Sequence, residues 1–155
     1  MKNLIHNKNK YIIIIIGLLG LIPYGLPIME KNGLVDFVEI KTIDLTIWYG
    51  LTILCFLSGV YWGLSINIHI KNNSKLNYIL PALSIIPFML AVIAIIVSNY
   101  LNIILLVVGF LICQILDELL LKYKVYFNWY ILLRRFLTVV VVTLMIYYYI
   151  DFSNV

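Results

Sequence analysis

Charge is scarce in this chain. Only 12% of its 155 residues are Asp, Glu, Lys or Arg, about half the roughly 25% usual in soluble domains, so no stretch of it can clothe a water-facing globule. Histidine and cysteine are scarcer still, at two each. Cys55 and Cys113 fall in different apolar runs, which argues against a disulfide framework and leaves them as small packing residues. His6 and His69 stand apart from each other and from the scattered acidic residues, so no credible metal cluster can be drawn. Neither H-E-x-x-H nor G-x-S-x-G occurs, and no internal repeat stands out. These absences predict a protein that is not an enzyme, with no catalytic residue, metal or cofactor.

What the chain has instead is apolar length. Mean hydropathy is +1.06, and five apolar runs fall at about 11–29, 45–70, 79–98, 103–121 and 130–150. Each approximates the roughly 20 residues a helix needs to cross a bilayer. Lipid offers no partner for a free backbone N–H or C=O, so runs of this length must be helical, whereas a barrel would show alternating segments of about ten residues. The predicted fold is all-α: a polytopic bundle of five transmembrane helices forming a single membrane-embedded domain over residues 1–155.

Lys and Arg are distributed unevenly among the connections. Lys2, Lys8, Lys10, Lys71, Lys75, Lys122, Lys124, Arg134 and Arg135 fall on one side, and only Lys31 and Lys41 on the other. The positive-inside rule then predicts a cytoplasmic N-terminus and an external C-terminus. A net charge of +4 is explained by that bias and by attraction to anionic headgroups, with no nucleic-acid partner. Two aromatic belts mark the same boundaries, Tyr24, Trp48, Tyr49, Tyr100 and 147–149 on the outer side and Tyr11, Tyr78, Tyr123, Tyr126, Trp129 and Tyr130 on the inner. Tyr61 and Trp62 fit neither belt and are expected to face the bundle. The basic tail and first apolar run lack a small-x-small site before Pro23, Tyr24 and Pro27, so an uncleaved anchor is expected rather than a signal peptide.

Three features are costly in lipid and call for a reason. Asp117 and Glu118 near the end of the fourth run lie opposite Arg134 and Arg135 near the start of the fifth. Consecutive antiparallel helices bring these groups to similar depths, and a central charge costs about 2.5–3.5 kcal/mol to insert, part of which pairing recovers. Asp117 shares a stripe with Cys113 and Gln114, and Arg134 with Tyr130 and Thr138, so Asp117 with Arg134 is the expected inward ion pair, serving as an interhelical clamp or as a relay. The second run carries Cys55, Ser58, Gly59, Trp62, Gly63, Ile66 and His69 on one stripe. Its G-x-x-x-G pair predicts close helix packing. The functional alternative is a pocket lined by Trp62 with Ser58, Ser65 and His69. Lastly, Pro23 and Pro27 in the first run and Pro81 and Pro87 in the third predict kinks, each freeing a carbonyl that must find a partner or face a cavity.

The segments Gly20 to Tyr24, Phe56 to Gly63, Gly109-Phe110 leading to Leu116-Asp117, and Trp129 to Arg134 leading to Leu137-Thr138 together resemble a family. It is a group of small multi-pass proteins classed as a domain of unknown function together with the mitochondrial transmembrane protein sixty-nine. The resemblance runs from Gly17 to Val142. It implies a five-helix protein of the bacterial inner membrane, or of the mitochondrial inner membrane in eukaryotes, and brings no reaction with it. The positions that match the family pattern are Pro23, Gly59, Trp62, Gly63, Asp117, Trp129, Tyr130, Arg134 and Thr138. Tyr61 departs from it, standing where relatives carry a basic residue or histidine.

Function is expected to be non-enzymatic: an inner-membrane protein that packs against, or helps assemble, a larger membrane complex. Its expected partners are the lipid bilayer and a membrane protein or a second copy. One alternative is a small-molecule or ion transporter gated by Asp117 and Arg134, although no inverted repeat is visible. The other is a binder of a hydrophobic ligand such as a porphyrin, sterol or quinone, using Tyr61 and Trp62. The tryptophan-rich sensory proteins have similar length and helix number, but their external N-terminus conflicts with the charge distribution here.

Overall fold

The computed structural model describes residues 2–35, 41–67, 74–97 and 101–153. They form α1 (Lys2–Leu19), α2 (Ile22–Lys31), α3 (Thr42–Asn67), α4 (Ser74–Ile96), α5 (Leu101–Lys122) and α6 (Asn128–Ser153). Five segments are long and apolar enough to cross a membrane: Lys10–Lys31, Thr42–Ile66, Asn77–Ile96, Leu101–Lys122 and Asn128–Asp151. Among the described residues there is no strand. The expected boundaries shift by a few residues, and 68–70 and 98 lie outside the described residues.

The first apolar run is divided where one kinked helix was expected. Gly20 and Leu21 leave the helix, with the Leu21 N–H reaching Leu18 O at 3.0 Å and the Tyr24 N–H reaching Leu21 O at 3.1 Å, the tighter spacing of a helix terminus. Pro23 therefore opens α2, at a position where its missing N–H is not needed. Pro27 lies inside α2 and removes the donor that the Pro23 carbonyl would otherwise use. Thr46 on α3 replaces it, donating from Oγ1 to Pro23 O at 2.8 Å. At the α3–α4 contact, the Ser58 hydroxyl donates to the Ser84 carbonyl, three residues before Pro87.

Helices α3 to α6 pack in succession, α3 also reaches α5, α2 lies against α3 and α6, and α1 leans on α6. One tight contact between α3 and α5 lies at Gly109. A Cβ on Gly109 would stand 2.5 Å from Leu54 Cδ2, so the absence of a side chain sets how near the two helices come. Leu54, Leu80, Ile103, Leu106, Phe110 and Met145 fill the interior, while Ile15, Phe56, Trp62, Ile95, Ile115 and Leu132 point outward, giving an apolar shell suited to lipid. Polar ties close both ends of the bundle. At one, Lys31 Nζ lies 2.6 Å from Asp151 Oδ1 and Thr42 donates to the Glu30 carboxylate. At the other, Arg135 Nε is 2.6 Å from Glu118 Oε1.

Candidate functional site

Asp117 sits late in α5 and Arg134 early in α6, and the antiparallel turn between them sets the two side chains level. Arg134 Nε donates to Asp117 Oδ2 at 2.8 Å. The second carboxylate oxygen is also engaged: Tyr61, reaching across from α3, has its hydroxyl 2.9 Å from Asp117 Oδ1 and 3.0 Å from Cys113 O. The side chains are 1% exposed for Asp117 and 11% for Arg134, so both charges are withdrawn from solvent and each depends on the other. One residue further along each helix, a rotation of about 100° turns the chain outward. Glu118 and Arg135 accordingly pair on the surface at 2.6 Å, and Gln114, expected on the Asp117 stripe, instead donates to Glu118 at 2.9 Å.

An aromatic cluster closes the bundle below this pair. The rings of Tyr126 and Tyr130 are 5.0 Å apart, those of Trp129 and Tyr130 6.1 Å apart, and Lys10 Nζ lies 5.6 Å from the Trp129 ring centre, within cation–π range. Buried Tyr126 Oη, Trp129 Nε1 and Arg134 Nη2 have no hydrogen-bond partner among the described residues.

Arg134 also forms part of the wall of a cavity of about 290 Å³. Ile13, Ile16 and Gly17 line it from α1, Gly20 and Leu21 from the break after it, Tyr24 from α2, Tyr49, Ile53, Phe56 and Leu57 from α3, Phe110 from α5, and Tyr130, Leu133, Arg134, Leu137, Thr138 and Val141 from α6. The α6 residues recur at helical spacing along one face, so the cavity is elongated: Tyr130 to Val141 covers about 16 Å at 1.5 Å per residue. Gly17 of α1 and Gly20 after it form part of its wall. A Cβ on Gly17 would lie 3.2 Å from Leu137 Cδ1, and α1 belongs to the least buried span, at 11% against 22–44% for the others. Ile13, Ile16 and Phe56 line the cavity and are also 41%, 63% and 66% exposed, which marks a lateral mouth between α1 and α3 on the apolar outer surface.

Several expected site residues fall elsewhere. Trp62 does not face the bundle: it is 47% exposed, while Tyr61, one position earlier, is buried and reaches Asp117. A Cβ on Gly59 or Gly63 would meet no atom within 4 Å, whereas one on Gly109 would stand against Leu54. The suggested Trp62 pocket is not assembled. Ser58 turns into the α3–α4 contact, Ser65 bonds back to Trp62 O at 2.7 Å, and His69 lies outside the described residues. Pro23 supplies its carbonyl to Thr46, Tyr130 and Thr138 line the cavity beside Arg134, and Trp129 flanks it. Tyr61 faces the bundle as expected, but its bond to Asp117 was not anticipated, and Gly109 and Tyr24 were missed as contact and cavity residues. Tyr61 shares the buried i, i+3, i+4, i+7 stripe with Leu54, Leu57 and Ser58, but α3 is apolar nearly all round, so its pattern does not single that face out.

Among the described residues, no three His, Cys, Asp or Glu side chains gather to hold a metal ion. Fold and polar cluster together define a multi-pass α-helical membrane protein with a buried charge pair beside a mostly apolar cavity. The family model described as Protein of unknown function (DUF3429) matches residues 10–150, and the chain belongs to that family. No curated protein and no solved structure gives a match.

Proposed function

We propose that this is a non-enzymatic accessory protein of a bacterial inner membrane, its N-terminus cytoplasmic and its C-terminus outside, that holds a hydrophobic ligand drawn from the bilayer. The observation that carries this reading is the elongated apolar cavity of about 290 Å³ with its mouth between α1 and α3. Ligand sites are concave and mostly apolar, with a few placed polar groups; here Arg134, Tyr130 and Thr138 supply them. The ion pair works as the support of that wall. Asp117 holds Arg134 Nε and is itself held by Tyr61, so the carboxylate is fully engaged rather than poised for substrate chemistry.

The test is extraction into native lipid particles followed by mass spectrometry of everything retained. A defined apolar small molecule at near-stoichiometric amount supports the reading; a chain that keeps only bulk lipid in bulk proportions removes it.

A second reading, docking against a larger membrane complex, is favoured by the outward face of α3. A Cβ on Gly59 would meet no atom within 4 Å, Trp62 beside it is exposed, and small residues four apart, as Gly59 and Gly63 are, admit another helix closely in lipid. A stoichiometric protein retained in the same particles, and lost on Gly59→Leu, would carry that reading.

A further inference from the structure

Arg134, which helps line the cavity, carries a guanidinium whose charge is already balanced. Arg134 gives its Nε–H to Asp117 at 2.8 Å, so the two side chains together carry no net charge. Yet Nη2 of the same guanidinium is buried and has no acceptor among the described residues. It is a donor-only group that hydrocarbon cannot satisfy. At the far end of the cavity Tyr24 is 2% exposed, and its hydroxyl is likewise without a partner among the described residues. Resting on the ligand-holding reading above, we propose that the cavity takes a neutral, single-chain lipid whose polar group is a carbonyl-type acceptor, an ester or a quinone, set toward Arg134.

Three features select this class. The unmet group at Arg134 is a donor, so the ligand must bring an acceptor. The guanidinium charge is already matched by Asp117, so a carboxylate or phosphate would introduce an unpaired negative charge where desolvation penalises it most. The cavity is long and narrow: its α6 wall runs about 16 Å, while its volume of about 290 Å³ is at the low end for small-molecule sites. One extended chain fits that shape better than the two chains of a phospholipid or a broad macrocycle. Leu133, Leu137, Val141 and Ile16 would line the hydrocarbon.

The proposal is tested on the full chain in lipid nanodiscs with photoactivatable palmitoyl probes that bear a methyl ester, a free carboxylate or no polar head. Saturable labelling of α1 and α6 peptides by the ester, above that of the other two, is expected. Competition by an unlabelled prenylquinone or by an unlabelled monoacyl ester then identifies the source of the carbonyl. Arg134→Lys keeps a cation for Asp117 but loses the planar fork, and should lower ester labelling about tenfold, the worth of one good hydrogen bond. Ile16→Trp narrows the mouth at a side chain already 63% exposed, so it should block labelling without loss of the fold. Stronger labelling by the carboxylate, or equal labelling by the headless probe with no effect of Arg134→Lys, would overturn the neutral-acceptor proposal while the ligand-holding reading stands. Labelling of α1 and α6 by none of the probes would remove both.

Discussion

The hydroxyl of Tyr61 lies 2.9 Å from Asp117 Oδ1 across the α3–α5 contact. It joins the long central helix to the ion pair of α5 and α6, so three helices meet on one carboxylate.

Tyr61→Phe removes this hydroxyl and leaves one buried oxygen of Asp117 without its donor. A loss of about 1–3 kcal/mol is expected for an unsatisfied buried acceptor, read as a lower midpoint of thermal unfolding in detergent. Membrane insertion should be unchanged, because the apolar length of α3 is unaltered. A midpoint equal to that of the unaltered protein would mean that the hydroxyl does not support Asp117.

Breaking the Asp117–Arg134 pair from one side should be the most damaging single change among the polar residues. Asp117→Leu or Arg134→Met alone leaves an uncompensated buried charge, at a cost of about 3–5 kcal/mol. The double variant removes both charges and should recover most of that loss in level and stability. The charge swap Asp117→Arg with Arg134→Asp should likewise restore levels lost in either single variant. If neither combination recovers anything, the two residues are not acting as a pair.

Two glycines on neighbouring helices should respond oppositely to a larger side chain. Gly109→Val forces atoms against Leu54, already 2.5 Å from where a Cβ would stand, and should destabilise by about 1–3 kcal/mol. Gly59→Leu meets open space and should leave the isolated chain within about 0.5 kcal/mol of its original stability. Thermal unfolding of both variants, with size-exclusion of the Gly59 variant, separates packing inside the chain from docking outside it.

Orientation is checked with reporters. A periplasm-dependent enzyme fused after Val155 should be active and a cytoplasm-dependent one inactive, as the asymmetry of Lys and Arg requires. Cytoplasmic activity at the C-terminus would break the proposed five-crossing topology.

How far the chain can be read without coordinates depends on the physical term involved. Helix type, the five apolar spans and their approximate ends follow from hydropathy alone, because lipid leaves the backbone no alternative to helix. The placing of Asp117 opposite Arg134 could also be expected, since their depths are set by their distance from the helix ends. Rotation about the helix axis could not be. Span α3 is apolar nearly all round, so its pattern does not say which face turns inward. The expected stripe through Gly59, Trp62 and Gly63 lies outward, and Tyr61 turns in. Gly109 makes the close contact only because Leu54 happens to face it across the α3–α5 interface, a relation between residues far apart in the chain.

By itself, then, the sequence determined the solvent this protein needs, the number of segments suited to crossing it and the level of its buried charges, all of which depend on local apolar length and position. Tertiary packing alone decided which side of each helix is interior, which glycine is a contact, and that a cavity lies beside Arg134. Those outcomes depend on how side chains of different helices fit together, and dispersion and hydrogen bonding between helices, unlike hydropathy, leave no period in a single sequence.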